Sequence, residues 1–79
     1  MKEEIFSQLT QVYRDVFSQP DLQIERQMTA KDIRGWDSMS HLTLIVTVEK
    51  VFGIRLSGSE VMRLKNVGDL ADIIERKKQ

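Results

Sequence analysis

The chain has no cysteine. That removes disulfides, thiolate metal sites and a cysteine nucleophile together, and nothing in the composition demands an oxidising compartment. It has no excess charge either, with 12 basic residues against 12 acidic ones. No basic patch argues for nucleic acid, and no block of like charge argues for a tail. Long apolar runs are missing: the longest is Leu44-Ile45-Val46, far short of the roughly 20 residues a membrane-spanning helix needs. No apolar stretch of a secretory signal follows Met1-Lys2-Glu3-Glu4, so a cytoplasmic, soluble monomer is expected. No cluster of His, Asp and Glu has metal-ligand spacing. Seventy-nine residues are read as one domain, 1–79, with a small core and no covalent staple.

What is present is helical periodicity. Ile5, Leu9, Val12, Tyr13, Val16 and Phe17 share one face of a helix predicted from Lys2 to about Ser18, with Pro20 stopping it. Spacing is irregular from 19 to 37, and so long a connection is usually functional or pinned by its own side chains. Leu22, Ile24, Met28 and Ile33 are candidate tethers, and Trp36 is expected to seal the loop onto the bundle. Thr29-Ala30-Lys31-Asp32 resembles a capping box and predicts a short helical turn through Ile33. A second helix is predicted from Ser38 to about Phe52. Its run Ile45-Val46-Thr47-Val48 is strand-like, but length and the spacing of 42, 45, 46 and 49 favour a helix, with Gly53 as its stop. Its apolar stripe is broad, which predicts neighbours on several sides. Ser57-Gly58-Ser59-Glu60 opens a short helix through Leu64, with Val61, Met62 and Leu64 turned inward. Asn66, with Asp69 three residues on, caps a last helix carrying Val67, Leu70, Ile73 and Ile74; Arg76, Lys77 and Lys78 are read as its solvated end. The expected fold is an all-α four-helix bundle, three main helices and one short one, with the long loop between helices one and two.

The centre of the chain is Gly35-Trp36-Asp37-Ser38-Met39-Ser40-His41-Leu42. Asp37 is a good N-cap, its carboxylate accepting from first-turn N–H groups. Ser38 then takes the first helical position with an exposed hydroxyl, where the helix dipole favours a phosphate. Asp37, Ser38 and His41 also invite a hydrolase reading. That reading fails, because an acid occupied as a cap does not orient a histidine and a corner serine has no oxyanion pocket. His41 is expected at the surface beside Ser38.

Asp37-Ser38-Met39 at the head of an amphipathic helix resembles the Asp-Ser-Leu attachment motif of the acyl carrier proteins, with Met a volume-conserving replacement for Leu. Length, the central position, the Gly-Trp lead-in, Phe52-Gly53-Ile54 and the flanking helices fit as well, so the likeness covers essentially the whole chain. The resemblance implies a carrier that catalyses nothing itself and bears acyl groups as thioesters on covalent 4′-phosphopantetheine at Ser38. The thiol is then the prosthetic group's own. It implies a phosphopantetheinyl transferase as partner, with Asp37 helping to hold that enzyme's metal ion, and acyl-loading, acyl-transfer or condensing enzymes beyond it. Met39 and Leu42 match the family's apolar partner contacts. Leu42, Ile45, Val46, Val61 and Met62 would border an acyl-chain pocket between helices two and three.

In charge the chain departs from the family's housekeeping fatty-acid members, which are strongly acidic along helix two. Here that helix has Glu49 as its one acid, Lys50 beside it, and Ser40, His41 and Thr43 at positions often acidic or small and polar. A specialised pathway is therefore expected, such as polyketide, modified-lipid or polysaccharide-linked acylation, and the length suits a free-standing carrier. The rival readings are a peptidyl or aminoacyl carrier and an unmodified helical adaptor.

Overall fold

Ile5, Leu9, Val12 and Tyr13 are all buried along one side of α1 (Lys2–Val16), as their spacing dictates. The computed structural model describes residues 2–78, and among them the chain folds as four α-helices with no strand: α1, α2 (Ser38–Phe52), α3 (Gly58–Arg63) and α4 (Val67–Lys78). α1 packs against both α2 and α4. The helix ends two residues before the expected Ser18, because Ser18 turns left-handed at φ 53°. The Ser18 N–H then donates to Asp15 O and the Gln19 N–H to Arg14 O at 3.0 Å, a closing turn that satisfies orphan carbonyls.

α2 buries Leu44, Ile45, Val48 and Phe52. The rest of its apolar girth is not enclosed, contrary to the expectation of neighbours on several sides. Met39 is 80% exposed, Leu42 62% and Val46 49%. The buried positions recur at one, four and eight residues, a face rotated away from the one that 42, 45, 46 and 49 suggest. Gly53 closes the helix at φ 66°, ψ 39° and donates its N–H to Glu49 O; no atom crowds its α-carbon, so conformation alone calls for glycine there.

α3 has six residues, enough to bury one flank only. That flank holds Val61, and Leu64 just beyond the helix packs on the core with it. Met62, expected inside, lies on the other flank and is 86% exposed. The predicted capping box is present: Glu60 N–H donates to the Ser57 hydroxyl, and Ser57 N–H to the Glu60 carboxylate.

Asn66 caps α4 by accepting from the Asp69 N–H at 2.8 Å. Val67, Leu70, Ala71, Ile73 and Ile74 face the core. The basic end of α4 is not simply solvated. Lys77 pairs with Glu60 at 3.1 Å, and Lys78 donates to Phe52 O at 3.2 Å, where positive charge suits the end of α2.

Loop 19–37 is a tether. Ile24, Ile33 and Trp36 are buried, with Leu22 and Met28 packed against them. It also closes the head of α4: Val67 N–H donates to Met28 O at 3.0 Å and Gly68 N–H to Arg26 O at 2.8 Å. Two first-turn donors that a helix cannot pair internally are thereby satisfied. Arg26 then grips Asp72 with one guanidinium nitrogen, reaching both carboxylate oxygens at 2.9 and 3.0 Å. The helical turn predicted through Ile33 is instead two separate turns, Asp32 N–H to Thr29 O and Trp36 N–H to Ile33 O. Asp32 Oδ2 accepts from the Thr29 N–H, so the local bonding pattern is the expected one without a helix built on it.

Candidate functional site

Asp37 has an extended backbone at φ −131°, ψ −170°, which breaks the loop into α2. Its Oδ1 accepts from the N–H groups of Met39 and Ser40 at 3.1 and 2.9 Å, and Oδ2 makes no hydrogen bond among the described residues. Ser40 completes the cap in reverse. Its hydroxyl accepts from Asp37 N–H at 2.8 Å and donates to Gly35 O at 2.6 Å. The Ser40 N–H first, with the Met39 N–H, holds the Asp37 carboxyl below the ordinary carboxylate value. The pattern Asp-x-x-Ser hid this second half of the cap, since the third capping position is usually Glu or Gln.

Ser38 is exposed at the first position of α2, and its hydroxyl has no hydrogen-bond partner among the described residues. The N-terminus beside it is less open than the sequence suggests, because Asp37 has already taken two of its donors. Of the first-turn amides only the Ser38 N–H stays unbonded among the described residues, so an anion placed here needs side-chain donors to supplement it.

Trp36 provides the base of the site. It is 8% exposed, with Tyr13 edge-on at 5.4 Å and Phe17 at 6.2 Å between ring centroids. Its indole N–H donates to His41 Nδ1 at 3.0 Å, with the two rings 20° from parallel. His41 is thus half-buried and bonded, where sequence reasoning expected a surface side chain. No pattern in the sequence marks that pair beyond a separation of five residues. Its acceptor atom faces Trp36 and the Asp37 carboxylate serves the helix, so the structure builds no catalytic triad. Among the described residues no group of three or more His, Cys, Asp or Glu side chains forms a metal site.

A groove of about 310 Å³ opens next to Ser38, lined by Ala30, Trp36, Asp37, Ser38, His41, Leu64 and Lys65. Nothing in the sequence placed Ala30, Leu64 or Lys65 at this site. The residues fit a phosphate-linked arm: an unbonded hydroxyl on the rim, a cation in Lys65 with no ion pair among the described residues, and an apolar wall. The expected acyl pocket is not assembled in the same way. Ile45 belongs to the core, Val61 is half-buried, and Leu42, Val46 and Met62 are largely exposed. A larger apolar cleft of about 410 Å³, lined by Ile5, Phe6 and Ala71 among others, shares no residue with the Ser38 groove, and its one cation, Arg26, is held by Asp72.

Residues 7–74 match a family model described as phosphopantetheine attachment site. The chain is similar to the acyl carrier protein of Acidothermus cellulolyticus, 34% identical over 73 residues that cover 92% of this chain and 87% of that one. It superposes on the solution structure of the holo acyl carrier protein from Geobacter metallireducens with a TM-score of 0.85 and 42% identity, over 91% of this chain and 83% of that one. The crystal structure of the Thermotoga maritima acyl carrier protein has the same fold, with a TM-score of 0.82 at 21% identity over 96% and 88% of the two chains. The chain therefore belongs to the acyl carrier protein family, carriers whose covalent prosthetic group is 4′-phosphopantetheine.

Proposed function

We propose that the Ser38 hydroxyl bears the prosthetic group and that acyl intermediates ride on it as thioesters. The observation that carries this reading is the exposed, unbonded Ser38 hydroxyl at the head of α2 beside Asp37, inside the matched region 7–74. In loading, the Ser38 oxygen attacks the phosphate of coenzyme A that bears pantetheine. The Ser38 proton passes to a base of the transferase, and the nucleotide half of coenzyme A leaves. Asp37 Oδ2, the carboxylate oxygen with no amide donor, would be left to help hold the transferase's metal ion. The chain supplies no catalysis of its own.

Met39, Leu42 and Val46 are exposed at spacings of three and four on α2, which places them on one face. They serve as the docking contact for acyl-loading, acyl-transfer and condensing enzymes. The acids that steer strongly acidic carriers are absent, and Glu49 is turned to structure, accepting from the Leu56 N–H at 2.9 Å. This surface supports service in a specialised acylation pathway in place of housekeeping fatty-acid synthesis. A cytoplasmic site of action fits the absence of cysteine and of any helix, among the described residues, long and apolar enough to cross a membrane.

Intact mass after incubation with coenzyme A and a phosphopantetheinyl transferase tests the reading. Wild type should gain one phosphopantetheine and Ser38→Ala none. An unmodified wild type would leave the adaptor reading.

A further inference from the structure

We propose that Trp36 and His41 form a positioning pair that holds the phosphodiester of the prosthetic arm against the groove, with Lys65 as the second donor; this rests on Ser38 as the attachment point. Attachment of the arm leaves a negative diester beside the Asp37 carboxylate. The Met39 and Ser40 N–H groups, which would ordinarily receive such an anion, are bonded to Asp37 Oδ1. Of the first-turn amides only the Ser38 N–H is left without a partner among the described residues, and the groove adds two side-chain donors.

The first is His41. An imidazole that accepts at Nδ1 carries its neutral-form proton on Nε2. Trp36 imposes that choice, because its indole N–H donates to Nδ1 at 3.0 Å and Tyr13 and Phe17 hold the indole in place. The two ring nitrogens point in widely divergent directions, so Nε2–H is aimed away from Trp36. His41 and Ser38 are three residues apart on α2, hence neighbours on its surface, and both line the groove. Nε2–H has no acceptor among the described residues. The second donor is Lys65, which also lines the groove and whose ammonium has no partner among the described residues. An anion tethered to Ser38 receives one directed hydrogen bond and one mobile positive charge. Leu64 and Ala30 then offer apolar surface to the pantetheine that follows the phosphate.

Phosphorus and imidazole-nitrogen NMR on the ¹⁵N-labelled protein test this, before and after loading, with the mass and modified residue verified. The reference for a free diester is the same loaded protein unfolded in urea. In folded wild type the ³¹P resonance should stand apart from that reference, and His41 should be the Nε2–H tautomer whose Nε2 signal moves on loading. Lys65→Ala should bring the ³¹P resonance part of the way to the reference, and His41→Ala further. Circular dichroism confirms that each loaded variant is helical, which separates positioning from loss of fold. The proposal is overturned by a wild-type ³¹P resonance at the unfolded position, by a proton on Nδ1, or by a His41→Ala resonance unchanged from wild type. If no phosphopantetheine reaches Ser38, the attachment reading fails and the pair's role goes with it. If Ser38 is loaded and the resonances do not respond, the pair alone is wrong.

Discussion

Tyr13 shows how a residue can be placed correctly by periodicity and still carry a hidden cost. Its ring is fully buried between α1 and the loop, but its hydroxyl has no hydrogen-bond partner among the described residues, and burial pushes the phenol's pKa up. An unsatisfied buried hydroxyl is destabilising by roughly 1–3 kcal/mol, partly offset by its packing. Tyr13→Phe should therefore leave stability unchanged or raise it by up to about 1 kcal/mol in urea unfolding. A clear loss would mean that the hydroxyl has a partner. Asp37 gives a second residue-scale outcome. Its folded carboxyl titrates below the ordinary value of 3.8. Its cap therefore contributes fully above that value and is lost as pH falls through the lower folded value. The Met39 and Ser40 amide signals should titrate with a midpoint below 3.8; a midpoint at or above it contradicts the cap. At this scale the sequence was informative where one residue type has one job at one position, as with the caps Asp37, Ser57 and Asn66. It was silent on the Trp36–His41 bond, which depends on how the loop returns to α2.

At the scale of elements, the helices were legible, and so were the buried faces of α1 and α4, but not those of α2 and α3. Between Leu42 and Val48 five of seven residues are apolar, so several faces of α2 satisfy helical periodicity, and only packing against α1 selects 44, 45, 48 and 52. In α3, length decided: so short a helix covers one flank, and Met62 fell on the other. The loop was read as a candidate tether, but its anchor at α4 was invisible, because half of it uses backbone groups and the other half is one Arg26–Asp72 pair far apart in the chain. Gly68 marks the backbone contact by its lack of a side chain. A β-carbon there would lie 3.0 Å from Arg26 O and 3.2 Å from Arg26 Cβ. Gly68→Ala should push the loop off the head of α4 and cost about 1–3 kcal/mol, as overpacking does. Hydrogen exchange at the Val67 and Gly68 amides, bonded to Met28 and Arg26, should rise with it. Unchanged exchange would show that the loop is not held there.

At the scale of the whole molecule, zero net charge and an apolar α2 face set how partners are found. Electrostatic steering acts over a screening length of about 10 Å at 0.1 M salt and raises association rates where charge is concentrated. Here Lys50 offsets Glu49, and Glu49 is itself bonded to Leu56. Loading by the enzymes of a housekeeping fatty-acid synthase should be slow and nearly independent of salt. Fast loading that collapses as salt rises would show that an acidic docking mode operates after all.

The arm is assigned to one serine, Ser38, although a second serine lies two residues away in the same turn. Ser40 is bonded on both sides, to Asp37 N–H and Gly35 O, whereas Ser38 is free to react. Fragment-ion mass spectrometry of the loaded wild type, Ser38→Ala and Ser40→Ala distinguishes them. The phosphopantetheine should map to Ser38 in wild type, persist in Ser40→Ala and vanish in Ser38→Ala; a group found on Ser40, or retained in Ser38→Ala, would contradict the account.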